Sequence, residues 1–310
     1  MAETLNTVDT ALLGIIADMP EGKAPGAYNI RKDSGCASRV TTENIDIRTK
    51  EDKPGIDIIV KPGTKNESMH IPVIIEKSGL QDLVYNDFFI GDDCDITIVA
   101  GCGINNCGTQ ESRHDGIHSF FIGKNSHVRY VEKHYGSGDG KGKRIMNPET
   151  VVELGENSFM EMETVQIRGV DSTKRSTSAT LADGAKLVIT ERLMTHGTQN
   201  AESHFKVDLN GAGSSANLIS RSVAKEDSYQ LFVSEINGNN RCAGHSECDA
   251  IIMDNAKIGA VPKITANHLD AALIHEAAIG KIAGEQITKL MTLGLTEAEA
   301  EEQIVNGFLK

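Results

Sequence analysis

Three stretches of the chain read alike: GDDCDITIV at 91–99, GKNSHVRYV at 123–131 and GENSFMEME at 155–163. Each opens with a small polar turn and then alternates apolar with polar residues, the period-two pattern of a half-buried strand. DGAKLVITE at 183–191, GAGSSANLI at 211–219 and DNAKIGAVP at 254–262 continue the series at a drifting spacing. A degenerate repeat of this kind marks a solenoid. One unit has an apolar face too small to be a core, and stacking rungs buries it continuously. Gly, Asn, Ser and Ala at the corners let the backbone turn within a flat rung.

The alternation reaches outward in both directions, through IDIIVKPG, HIPVIIE, PETVVELG, FMEMETVQIRG, AKLVITERLMTHG, HFKVDLNG and YQLFVSEING, with no amphipathic helix between. A Greek-key sandwich or a barrel shares this periodicity and stays open at this point. Ahead of the strands, Leu5, Val8, Leu12, Leu13 and Ile16 fit a short amphipathic helix, and Pro20, Pro25, Gly26, Gly35 and Pro54 punctuate a loop-rich segment. From Ala271 the pattern changes again. LIHEAAIGKI reads as a strand or turn leading into helix, and Ile287, Leu290 and Met291 recur at helical spacing before Gly294, a C-cap residue. Thr296 and Glu299 form a capping box for a second helix with Ala300, Ile304, Val305 and Phe308 as its apolar stripe. The expected organisation is mainly β: an N-terminal helix and lead-in at 1–55, a coil of strands at 56–270, and a helical segment at 271–310.

The formal charge of −13 argues against a phosphate backbone as the main partner, so no nucleic acid is expected. No apolar run reaches membrane-spanning length, so no membrane is expected either. The N-terminus lacks the basic start and cleavage site of a secretory signal, which points to the cytoplasm. In that reducing compartment the six cysteines are buried, metal-binding or reactive rather than disulfide-bonded.

Three clusters carry chemistry. CDITIVAGCGINNCGTQESRHDGIH at 94–118 holds Cys94, Cys102, Cys107, His114 and His118 around what reads as a glycine-rich turn. Thiolate and imidazole suit zinc, Fe(II) or an iron–sulfur cluster, yet the spacing matches neither a zinc ribbon nor a ferredoxin, so buried structural thiols stay an alternative. RCAGHSECDAIIMD at 241–254 sets His245 near Cys248, a pairing able to lower a thiol pKa; the alternative is a buried Cys beside a surface His. His275 and Glu276 are adjacent donors that an extended backbone sends to opposite faces. GSGDGKGKR at 136–144 lacks the phosphate-loop spacing and reads as a β-hairpin tip.

The stretch from Gly244 to Phe308 resembles the SufB/SufD family closely: a Cys-Asp rung, a proline-containing strand, a His-Glu-Ala segment and two helices ending in Val-Asn-Gly-Phe. A looser similarity runs upstream through IVAGC and GKGKRIMNPET. The resemblance implies a right-handed parallel β-helix with short terminal helices, acting as a non-enzymatic scaffold that receives iron and sulfur and passes a nascent iron–sulfur cluster to apo-proteins. It implies a SufC-like ABC-type ATPase gripping the C-terminal helices, and a scaffold homodimer in a two-plus-two complex. Cys248 falls on the cysteine essential for assembly, His275 and Glu276 on the proposed iron or cluster ligands, and Cys102 on the acceptor of sulfide or persulfide sulfur. Inward-facing rung positions would form the route between them. Ile274 departs from the Glu that many scaffold-type members carry there. The resemblance also implies a compact form, and it leaves a SufD-like structural or sulfur-relay subunit as the alternative. A polysaccharide-acting β-helix enzyme fits poorly, because aromatics are only 4%.

Overall fold

One corner of the coil explains the repeat. Gly63, Asp93, Asn125, Asn157, Gly184 and Gly213 all have positive φ, and all stand where the chain turns from one sheet into the other. Only Gly, Asp and Asn adopt that region at low cost, which is why these small residues recur ahead of each strand.

The computed structural model describes residues 5–310. Helix α1 (Thr7–Ala17) precedes strands β1 (Ala27–Lys32), β2 (Gly35–Val40), β3 (Ile45–Thr49) and β4 (Gly55–Val60). The chain then coils through β5 (Lys65–Ile75), β6 (Gln81–Ile90), β7 (Asp95–Asn105), β8 (Ser112–Ile122) and β9 (His127–Ser137). The short β10 (Arg144–Met146) and β11 (Glu149–Leu154) share one position, broken at Pro148, whose nitrogen cannot donate to the ladder. The remaining strands are β12 (Phe159–Arg168), β13 (Ser172–Leu181), β14 (Lys186–Thr195), β15 (Asn200–Leu209), β16 (Ser215–Ala224), β17 (Tyr229–Gly238), β18 (Cys242–Ile252), β19 (Lys257–Ala266) and β20 (Ala271–Gly280). Helices α2 (Gly284–Thr292) and α3 (Glu297–Phe308) close the described chain.

Two parallel sheets result. The first runs β2-β1-β5-β7-β9-β12-β14-β16-β18-β20, and the second runs from β19 through β17, β15, β13, the β10/β11 position, β8, β6 and β4 to β3. The molecule is a β-solenoid of about eight turns with short helices at its termini, which settles the sandwich-or-barrel alternative against both. Its apolar core lies between the sheets, where Phe88 stacks on Phe120 with centroids 4.3 Å apart.

Three expectations change. The lead-in segment is not mainly loop: β1 with β2, and β3 with β4, form antiparallel pairs at the first end of the coil. The glycine-rich stretch 138–143 is no hairpin tip, because the strands it joins lie in different sheets; Gly138, Gly140 and Gly142 sit directly on the backbone of the preceding turn. The coil also continues ten residues past 270, through β20.

Both helical ends lie on the outer face of the first sheet. α1 buries Leu12, Leu13 and Ile16 against Ile30, Ile74 and Val99. Gly101 and Gly103 make this seat possible, since a methyl at Gly101 would collide with the Ile16 carbonyl oxygen. At the other end, Val305 and Leu309 pack on Val223.

Candidate functional site

Inward side chains of the first sheet stack in columns. One column reads Ala100, Glu132, Thr164, Glu191, Ser220, Cys248, Ala277 from β7 to β20. Its neighbour reads Cys102, His134, Gln166, Leu193, Ser222, Ala250, Ile279. Both cysteines therefore face one interior, and the positions between them are largely polar.

Those polar groups are joined to one another. Asn86 Nδ2 lies 3.3 Å from His118 Nε2, His118 Nδ1 lies 2.8 Å from the Tyr130 hydroxyl, and that hydroxyl donates to Glu132 Oε1 at 3.2 Å. Arg175 pairs with Glu132 and approaches Glu191 at 3.8 Å. Ser203 and Ser220 donate to Glu191. Further along, Ser246 donates to Ser234 at 2.8 Å. Two small cavities of about 10 Å³ interrupt the packing, one beside Cys102, His114 and His134, the other beside Gln166, Arg175 and Glu191. Each has room for roughly one water.

Burial alone would raise the Glu132 carboxyl, but the charges of Arg175 and His134 outweigh it and hold the group well below the usual carboxylate range. Burial lowers the His118 imidazole to about 4. The Cys102 thiol is pushed well up by burial and by Asp82 and Glu132. Cys248 is pushed up to about 12 by burial, with Glu191 and Asp249 adding to it. At neutral pH both thiols hold their protons, the opposite of the lowered pKa that a Cys-His pairing would give. Parity along β18 explains this: Cys248 points inward and His245 outward, so the two do not meet.

Cys248 and His275 face inward from adjacent strands. Ser246 pairs with His275 and Cys248 with Ala277, which makes His275 the diagonal neighbour of Cys248. His275 Nδ1 is buried without a hydrogen-bond partner among the described residues. Glu276 points outward beside Glu247, as strand alternation requires. His245 Nε2 lies 3.4 Å from Glu276 Oε2. The Glu247 carboxyl is raised by burial and by Asp249 next to it.

The first cluster also needs correction. Cys102 is not in a turn but in mid-strand β7, and its flanking glycines serve the α1 contact rather than a loop. His114 and His118 share an inward face of β8; only Cys107 occupies the turn. Sequence reasoning missed Glu132, His134, Arg175 and Glu191. The first two were visible as the inward parity of HVRYVEKHYG, set by Val128 and Tyr130.

A family model described as SUF system FeS cluster assembly, SufBD core domain, matches residues 86–308, more than half of the chain. The chain belongs to the SufBD family. The matched range includes Cys102, Cys248, His275 and Glu276 and excludes α1 and β1–β5. Curated relatives named as iron–sulfur cluster assembly SufBD family proteins are 27% identical over 297 residues in Methanocaldococcus jannaschii, covering 94% of this chain and 92% of the relative. In Pyrococcus horikoshii the identity is 28% over 237 residues, covering 76% and 71%. In Methanothermobacter thermautotrophicus it is 26% over 259 residues, covering 82% of this chain but 62% of the relative. The SufBD chain thus belongs to a family described by its part in iron–sulfur cluster assembly, and it spans under two thirds of the Methanothermobacter relative's length. No helix among its described residues is long and apolar enough to cross a membrane.

Proposed function

We propose that this SufBD chain is a cytoplasmic, non-enzymatic scaffold on which iron and sulfur are joined into a nascent cluster for delivery to apo-proteins. One observation carries the reading: Cys248 and His275, whose Nδ1 has no hydrogen-bond partner among the described residues, share the inner face at an open end of the coil. A soft thiolate and an imidazole are donors an iron–sulfur cluster accepts. Here the cluster is cargo. Cys248 and His275 are the neighbouring inward donors there, while Cys242, also inward, stands at the start of β18 away from them. The edge strands β19 and β20 leave Ile264 and Ile279 exposed, so a second copy docking end to end would bring its own pair and complete the coordination. Glu276 points away from this pair, and a ligand role for it at the same cluster requires the last strand to turn over on docking.

Cys102, at the far end of the interior, would take the outer sulfur of a donor persulfide, becoming Cys102–S–SH and releasing the donor as its thiol. No thiol stands between it and Cys248 in either column, so a thiol reductant, itself oxidised to a disulfide, would release that sulfur as hydrosulfide, which would pass along the imidazole and Arg175 side chains. The thiols are protonated and covered at rest, so the scaffold must open to work. A SufC-like ABC-type ATPase is the proposed driver, and α2, which buries no residue and exposes Met291, with Leu293 exposed at its C-cap, is its proposed seat.

The test is anaerobic reconstitution with Fe(II) and sulfide, with and without the ATPase and nucleotide, read by absorption and by iron and sulfide counts. Bound iron with acid-labile sulfide, lost in Cys248→Ser, supports the scaffold. A colourless protein under every condition would make it a SufD-like structural or sulfur-relay subunit.

A further inference from the structure

The outer face of the same strand pair carries a second set of donors. His245, Glu247 and Glu276 each offer one ligand atom, and the three atoms lie within 4.8 Å of one another. Glu247 and Glu276 are direct register partners, and like charges so placed repel unless something positive sits between them. His245 is two residues along β18 on the same face.

The imidazole is also oriented from outside the cluster. Asn217, its register partner on β16, places Oδ1 2.9 Å from His245 Nδ1. An amide oxygen there accepts the Nδ1 proton and leaves the lone pair of Nε2 aimed at the carboxylates. A metal-binding histidine is held in the same way, by donating its other ring N–H to an oxygen of the surrounding shell.

We infer that His245, Glu247 and Glu276 bind one divalent first-row transition-metal ion, with Asn217 as the positioning residue. One imidazole and two carboxylates, half-exposed on rigid strands, leave open positions for water and suit Mn(II), Fe(II) or Zn(II). The site contains no thiol and lies across the sheet from Cys248 and His275. It shares Glu276 with the proposed cluster ligands but needs neither Cys248 nor His275.

Mn(II) titration of the sulfide-free protein, followed by the electron paramagnetic resonance signal of free Mn(II), tests it. Salt near 0.15 M screens the diffuse attraction of an acidic chain. The expected result is one saturable ion per chain. Binding should weaken tenfold or more in His245→Gln and in Glu247→Gln, weaken measurably in Asn217→Ala, and stay unchanged in Cys248→Ser. Thermal melts should barely move, because all these side chains except Cys248 face outward. Absence of saturable Mn(II) or Zn(II) binding would overturn the inference. So would binding that His245→Gln and Glu247→Gln leave intact, or that Cys248→Ser abolishes.

Discussion

Cys102 and Cys248 face one interior from the same sheet, in neighbouring columns and five strand steps apart. At about 4.8 Å per step their separation is about 24 Å. Relative exposures of 2% and 1% put both out of reach of solvent. A relay between them is therefore a property of the whole stack of rungs, and any reagent that reaches either thiol reports an opening of the coil.

Alkylation checks this directly. Cys36 and Cys107 are exposed and should react with iodoacetamide quickly, while Cys102 and Cys248 should lag far behind in the native protein. Because burial, with Glu191 and Asp249, pushes Cys248 up to about 12, its slow labelling should keep accelerating with pH well above 9 instead of levelling off. Peptide mass spectrometry of a labelling time course gives both rates. Rapid labelling of Cys248 at neutral pH would mean that the resting end of the coil is already open.

The α1 seat gives a second handle. Gly101→Ala places a methyl against the Ile16 carbonyl oxygen, so α1 must shift from β7. Overpacking of this kind costs about 1–3 kcal/mol. The expected outcome is a lower urea midpoint together with faster alkylation of Cys102, while Cys248, at the other end, keeps its wild-type rate. Because Cys102 faces inward and α1 covers the outer face, its faster alkylation reports a loosened β7, whereas equal acceleration at both cysteines would indicate global loosening.

Where a strand buries one apolar face, as in KLVITERLMT, the sequence reveals both the strand and its inward parity. STKRSTSATL does neither, because its inward Thr173, Arg175 and Thr177 are as polar as its outward residues and periodicity has nothing to detect. Gly101 and Gly103 misled for a related reason: a glycine that admits a helix onto a strand looks in sequence like a glycine that makes a turn. Parity on β18 placed Cys248 correctly and, followed one step further, separated it from His245. The proximity of His245 and Glu276 needs the 29-residue register between β18 and β20, in which Glu247 lies opposite Glu276, and only the stacked rungs supply it.

Acid should weaken the fold through His118. Burial lowers its imidazole to about 4, against about 6.5 in the unfolded chain. Above 6.5 neither state holds the proton and the contribution is whole. As pH falls towards 4 the unfolded chain binds a proton that the folded one refuses, so stability is lost. Between pH 7.5 and 4.5 the loss from this group is about 2–3 kcal/mol. Urea unfolding of wild type and His118→Gln across that range measures it, and the variant should show the shallower decline.

The buried ion group offers the sharpest test of what the polar interior is for. Arg175 lies between Glu132 and Glu191, all three nearly inaccessible. Removing one member of such a group leaves uncompensated charge in a low dielectric and costs about 3–5 kcal/mol. Arg175→Met should therefore lower the urea midpoint strongly. Adding Glu132→Gln and Glu191→Gln should recover much of the loss, because the triple variant leaves no unpaired charge in this group. If the interior charges serve only packing, the triple variant should assemble clusters as wild type does. If they conduct sulfur from Cys102, it should fold well and still hold persulfide sulfur at Cys102 while binding no iron and acid-labile sulfide. Sulfur-labelled peptide mapping of Cys102, with iron and sulfide counts, in that variant separates the outcomes.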